Sequence, residues 1–350
     1  MKRQLLGVAA FMLALSAHAQ DNPLWMRYCA ISPDGTSIAF TYKGDIYTVP
    51  VNGGKAAQIT TNAAHDTHPV WSPDGKQIAF ASDRMGSMDI FVVDREGGIP
   101  KRLTTHSGNE TPVAFKDADH ILFLANVMPS AEDAQFPSGQ FQQVYEVSTT
   151  GDRPVMFSSM PMEDISINKT GNALLYHDKK GYEDPWRKHH TSSITRDIWL
   201  CSLDGKRSYR KLTSFNGEDR TPVWASDGKS FYYLSEEKGS FNVFKRALDG
   251  TSSTQLTHHT KHPVRFLTAA DNGTLCYGYD GEIYTMKEGT EPRKVQISIL
   301  TDKNDKDLIR QIRRNGATEI ALSPDAKEVA FILRGDVYVT SVEYKTTKQI

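Results

Sequence analysis

An all-β fold is what this sequence predicts: a six-bladed β-propeller of four-stranded antiparallel blades, followed by the first blade of a second propeller. Three observations carry that expectation. Short apolar runs of strand length recur through the chain, separated by tight-turn residues. A polar residue, then Ile or Val, then an aromatic returns once per cycle, as in Asp45-Ile46-Tyr47, Asp89-Ile90-Phe91 and Asp336-Val337-Tyr338. Cycles follow one another at about 40 to 45 residues, the period of four-stranded blades and not of helical solenoids.

The clearest cycle runs from Val70 to Val93. Its first run ends at Trp71, the Ser72-Pro73-Asp74-Gly75 turn reverses it, Ile78 to Ala81 form a second run, and a turn at Gly86 leads into Asp89-Ile90-Phe91. Pro73 pre-sets a turn φ and Gly75 tolerates a positive one, so turn chemistry fixes the reversal. Lys101 to Thr104 close the cycle. One small blade buries too little area to stand alone, so the blades must stack, and radial stacking closes a ring.

Taken in order, cycle one holds Ser32-Pro33-Asp34-Gly35, Ile38-Ala39-Phe40 and Gln58-Ile59-Thr60, and cycle two is the stretch just described. Cycle three runs from Pro112 to Val144-Tyr145 with an insertion at Met128 to Gln142; cycle four starts at Asp164 and carries an insertion from Lys179 to Thr195. The fifth cycle, Pro222 to Thr257, is close to ideal, and the sixth, from Pro263 to Glu282-Ile283-Tyr284, has a degenerate ending. Ser298 to Thr318 then break the rhythm with charges and no repeat signature, as a linker would. A seventh cycle opens at Ile320-Ala321-Leu322-Ser323-Pro324-Asp325. The chain stops at Ile350, one residue short of completing that cycle by comparison with Gln58-Ile59-Thr60, which is expected of a piece of a longer protein.

These boundaries give a signal peptide at 1–19, a six-bladed propeller at 21–299, a charged linker at 300–317 and the first blade of a second, truncated propeller at 318–350. The long connection between cycles six and seven argues against a single seven-bladed ring. The ring is expected to close by packing blade six on blade one without an exchanged strand, leaving the seventh sheet standing apart.

With 350 residues, a formal net charge of −1 and 39% hydrophobic residues, the chain has the composition of a soluble globular protein without a basic surface for nucleic acid. Met1-Lys2-Arg3, an apolar segment from Leu5 to Leu15 and Ala17-His18-Ala19 form a secretion signal, cut before Gln20. The apolar segment is shorter than the roughly 20 residues of a membrane span. A soluble periplasmic protein with no membrane span after cleavage is therefore expected. Cys29, Cys201 and Cys276 lie in strand interiors, where buried thiols are expected over a disulfide.

The Ser-Pro-Asp-Gly turn and Asp-Ile-Tyr strand resemble the TolB-like, WD40-like propeller repeat. The order of six blades, a charged linker and a new propeller, with Trp186-Arg187-Lys188 and Arg196-Asp197-Ile198-Trp199 in blade four, is similar to the N-terminal region of the tricorn proteases, S41-type serine peptidases. This resemblance implies a non-catalytic module that filters or guides peptides or unfolded polypeptide toward a catalytic domain outside this chain. It further implies a parent that is a serine-type endopeptidase and a homo-oligomer. That family holds peptide chain ends through adjacent arginines in the connection between blades two and three; here Ser107 to Val113 contain none, so the role is not carried over. The alternative is a TolB-like propeller for protein–protein contacts in the cell envelope.

Catalytic chemistry is not expected of the chain itself. It has no Gly-x-Ser-x-Gly, no His-Glu-x-x-His and no phosphate-binding glycine loop. Asp302 to Asp307 imitate a calcium loop but put Lys306 at the fifth position and lack the turn glycine, so no metal is assigned. His65 and His68, and His258, His259 and His262, stand in two blade-to-blade connections that would have to converge to bind zinc, and turn or surface roles are preferred. No cofactor is expected. Substrate contact is assigned to the basic blade-four insertion, at Arg187, Lys188, His189 and His190, because a cationic loop on a rigid scaffold attracts peptide carboxylates.

Overall fold

The computed structural model describes residues 23–126, 141–182, 192–300, 313–344 and 346–350, and every regular element among them is a β-strand. Seven four-stranded antiparallel sheets follow one another, each formed by strands in sequence order, with only the short Gly54–Lys55 strand of blade one set aside to pair elsewhere. In blade one the strands are Arg27–Ile31, Ser37–Tyr42, Asp45–Pro50 and Ala57–Gln58. The innermost strands of blades two to six are Asp66–Trp71, Glu110–Phe115, Met162–Ile167, Asp219–Trp224 and Arg265–Ala269.

Each sequence signature has a structural cause. In the Ser-Pro-Asp-Gly turn the Ser72 hydroxyl donates to Asp74 Oδ1 at 2.7 Å and accepts the Gln77 N–H at 2.9 Å; Ser32 and Ser323 repeat the arrangement. Ile-aromatic pairs are two-sided. Ile46 packs with Trp71, Phe80 and Phe91 between blades one and two, whereas its neighbour Tyr47 packs with Ile283 and Ile297 between blades six and one. Neighbouring residues of a strand point to opposite faces, so this dipeptide serves both interfaces of its blade. Each aromatic also stacks across the strand pair, Phe40 on Tyr47 at 5.8 Å, Phe80 on Phe91 at 5.9 Å and Tyr277 on Tyr284 at 5.8 Å. The threonine that ends a cycle accepts the N–H of the Ile or Val from two strands' distance along the chain: Thr60 from Ile46, Thr104 from Ile90, Thr213 from Ile198 and Thr257 from Val243, all at 2.9 Å.

Six apolar clusters fill the six interfaces between successive blades, including the one between blades six and one. The ring therefore closes on six blades, and no blade borrows a strand from the other end of the chain. Closure nevertheless includes a pairing that packing alone did not predict. Ile297–Ser298 runs parallel to Gly54–Lys55, with Gly54 N–H on Gln296 O at 2.8 Å and Ala56 N–H on Ser298 O at 2.9 Å, and clasps the edge of blade one.

The seventh sheet, Ala317–Leu322 to Thr347–Gln349, joins none of the six clusters, and Ile320 and Leu322 are exposed. It does not stand apart, which corrects the sequence expectation. Glu319 pairs with Arg27, Arg334 Nη2 donates to Ala63 O at 2.8 Å, and the Arg334-Gly335 turn lies against the Lys43-Gly44 turn of blade one. Polar turn residues, invisible to apolar pattern, make this contact. All three thiols are buried and free, as strand-interior cysteines should be.

Candidate functional site

The innermost strands enclose a central cavity of about 1050 Å³ that is lined by residues of all six blades. Its two ends differ. One is rimmed by the Ser-Pro-Asp-Gly turns and their equivalents, at Pro33, Pro73, Asp117, Gly171, Ser226 and Asp271. At the other end the innermost strands begin and the second strands finish, so the strands that precede the two insertions end there, at Ala125 and Asp178. The seventh sheet sits on the same face.

Near that end every innermost strand breaks register, with a bulge between Arg27 and Ala30, Thr67 and Val70, Pro112 and Ala114, Glu163 and Ser166, Arg220 and Val223, and Arg265 and Thr268. Five bulge residues take left-handed backbone: Tyr28 at φ 51°, His68 at 55°, Asp164 at 49°, Thr221 at 49° and Phe266 at 57°. Such φ values are costly for side chains of this kind and are found where a bulge re-aims a residue. All five line the cavity, at one height, forming a waist.

One wall of the waist is aromatic. The Tyr28 ring lies 3.7 Å from that of His68 and 4.8 Å from that of Phe266. His68 Nδ1 meets the Thr67 hydroxyl at 3.1 Å, and burial pushes its imidazole down to about 4, against the pull of Asp164 across the channel. Near neutral pH this wall carries a neutral His68.

Opposite stands an ion network from blades four and five. Thr221 Oγ1 donates to Asp164 Oδ2 at 2.6 Å, and the Thr221 N–H donates to His177 Nδ1 at 3.3 Å, which leaves Nε2 to donate to Glu163 at 3.2 Å. Glu163 also takes Lys179 at 2.7 Å and Arg196 at 3.3 Å, while Arg196 and Arg220 converge on the fully buried Glu218. Burial alone would raise the Glu163 carboxyl, but the His177 hydrogen bond and the charges of Lys179 and Arg196 outweigh it and hold the acid well below its ordinary range. The cations here are paired with Glu163 and Glu218, whereas the Asp164 side chain, 3.5 Å from His177 Nδ1, is 47% exposed.

Arg187, Lys188, His189 and His190 lie outside the described residues. The roots of their loop are pinned: Lys179 on Glu163, and Lys180 on Asp197 and on Thr195 O at 2.6 Å. The two histidine groups do not converge. His68 is in the waist and His65 packs at the blade-one turn, while His259 stacks on Tyr279 at 3.9 Å and His262 meets Asp280 at 3.2 Å within blade six. Among the described residues no three metal-ligating side chains cluster, and no helix is long and apolar enough to cross a membrane. Sequence reasoning missed the waist. Its members stand four residues before the turn position at Ser32, Ser72, Asn168, Ala225 and Ala270, yet they share no residue type, and only aligning the cycles on their turns would reveal them.

Six blades around a channel with a polar mouth define a propeller module. Residues 23–292 match the tricorn protease N-terminal beta propeller domain, and the chain belongs to that family. Tricorn protease homolog 1 of Streptomyces coelicolor is 25% identical over 279 residues, covering 79% of this chain and 25% of its own length. The tricorn protease of Thermoplasma acidophilum is 25% identical over 332 residues, 91% of this chain and 29% of its own length. Against the crystal structure of the tricorn protease the TM-score is 0.67 at 20% identity, covering 94% of this chain and 31% of that one, a likeness of fold. The chain thus spans about a quarter of the length of the relatives it matches.

Proposed function

We propose that this chain is the non-catalytic propeller module of a periplasmic, tricorn-like serine peptidase, and that its central channel guides or filters peptides to a catalytic domain outside these residues. The observation that carries the reading is the channel itself, lined by all six blades, with the strands that lead into both insertions ending at one mouth. Membership of the tricorn propeller family supports a peptidase parent. Loops on a rigid scaffold are where binding concentrates, and the basic blade-four insertion, with Arg187, Lys188, His189 and His190, would meet peptides at that mouth. The module works inside an oligomeric parent.

The test is a channel block. Ser166 lines the channel, and Ser166→Trp in the full-length protein narrows it. Hydrolysis of a long unstructured peptide should fall while that of a short chromogenic substrate is retained. Equal rates on both substrates, before and after the substitution, overturn the guiding role. The isolated chain should bind peptides and hydrolyse none.

A further inference from the structure

The ring has one seam that the chain does not cross. Successive blades are joined by the backbone itself, so five of the six interfaces carry a covalent connection. Blade six and blade one, the two ends of the ring, meet through noncovalent contacts, the apolar cluster and the clasp among them.

Two of the chain's three cysteines lie in that seam. Cys29 stands on the innermost strand of blade one. Cys276 stands on the second strand of blade six, Leu275–Tyr279, opposite Thr268 of the innermost. Leu275–Tyr279 and Arg27–Ile31 bring Cα atoms within 8 Å of each other, and the two thiols are in side-chain contact. Both are oriented by one strand of blade six. Cys29 Sγ donates to Phe266 O at 3.5 Å, the Thr268 hydroxyl engages Cys276, and the same hydroxyl accepts the Ile31 N–H at 3.1 Å. Strand-interior thiols ordinarily serve as small hydrophobes, as Cys201 does in the cluster between blades three and four. Cys29 and Cys276 differ because each has the other as a neighbour.

We propose that Cys29 and Cys276 form a disulfide that staples blade six to blade one as the ring closes in an oxidising compartment. The oxidant is another disulfide, small or protein-borne, of the kind a secreted chain meets. One cysteine thiolate attacks it, giving a mixed disulfide and releasing one thiol; the second cysteine then attacks the protein-side sulfur and releases the other. Two protein thiols are oxidised, and the external disulfide is reduced to two thiols that take up both protons. In the closed ring both sulfurs are buried, and burial pushes the Cys276 thiol up, which disfavours the attacking thiolate. The bond is therefore made while the seam is open and is shielded from reductant once it shuts. A cross-link stabilises more as the loop it closes lengthens, and this pair encloses nearly the whole ring.

The chain is unfolded in urea with dithiothreitol and refolded by dilution, one sample into a mixture of reduced and oxidised glutathione and the other into dithiothreitol. Aliquots are alkylated in urea and mapped without reduction; the remainder is melted. The glutathione sample should yield a linked Cys29–Cys276 peptide pair and an alkylated Cys201, and should melt roughly 5–10 °C above the reduced sample. Cys201→Ala should keep both the link and the shift, whereas Cys29→Ala and Cys276→Ala should each melt at one temperature in the two buffers. Alkylation of Cys29 and Cys276 after refolding in glutathione, a link to Cys201, or equal melting temperatures despite the link would overturn the staple.

Discussion

The threonine that ends each cycle shows how a single hydroxyl can define a repeat. The Ile46 N–H is buried in the blade, and Thr60 Oγ1 is its acceptor. A buried amide without a partner costs about 1–3 kcal/mol. Thr60→Val, nearly the same in shape, should lower stability by that amount in urea unfolding, and Thr104→Val should match it through Ile90. A loss below about 0.5 kcal/mol in both would show that another group takes the amide. Carboxylates at the same strand ends titrate out of range. Burial, reinforced by Asp66, raises Asp45 to about 7, and burial raises Glu110 to about 7. A folded-state value above the unfolded one means stability that is present at low pH and lost as pH rises through the folded value. For Asp45 that window runs from about 4 to about 7. Asp45→Asn should therefore leave Tm unchanged at pH 4 and raise it relative to wild type by pH 8. His68 works the other way: its depressed value makes stability fall as pH drops from about 6.5 toward about 4. A Tm difference for Asp45→Asn that does not change with pH would refute the assignment.

Among the elements, those with a period were legible and those without one were not. In the six ring blades the strands carrying Ile- or Val-aromatic pairs repeat because each serves two interfaces, and the same pattern marks the strand Asp336–Ser341 of the seventh sheet. The clasp of Ile297–Ser298 on Gly54–Lys55 is two residues long and half polar, with nothing to repeat. The waist was hidden for a related reason: each bulge residue differs because each faces a cavity rather than a repeated neighbour. The clasp does leave one trace in sequence, at Gly53. With φ at 89°, a Cβ there would stand 2.5 Å from Gln296 O, so only glycine admits the returning strand. Gly53→Ala should cost more than Gly98→Ala, which shares the left-handed φ, at 130°, but has open space around it. Backbone strain of about 1 kcal/mol is common to both, and the clash adds to it at Gly53 alone. Thermal unfolding of the two variants decides the point, and equal losses would mean that the clasp yields without cost.

For the whole molecule the deciding fact is where the apolar surface lies. Ring closure rests on Met26, Cys29, Tyr47, Cys276, Ile283, Val295 and Ile297, all buried between blades six and one before the chain reaches residue 300. Beyond it, the seventh sheet contributes Ile332 as its one buried apolar residue among those described, and it holds the ring through the Arg27–Glu319 pair and the Arg334–Ala63 bond. A partly exposed ion pair is worth about 0–1 kcal/mol, and a single neutral hydrogen bond about as much. The ring should not notice their loss. A chain ending after Leu300 should unfold cooperatively with a Tm within a few degrees of the complete chain, since about 1 kcal/mol moves Tm by roughly 2–4 °C at this size. Ending instead after Glu288 removes Val295, Ile297 and the clasp, opening a seam that several buried side chains fill, each worth about 1.5–3 kcal/mol. That second truncation should lower Tm by well over ten degrees or abolish the cooperative transition. If the two truncations behaved alike, the six-interface ring would not be the unit that folds.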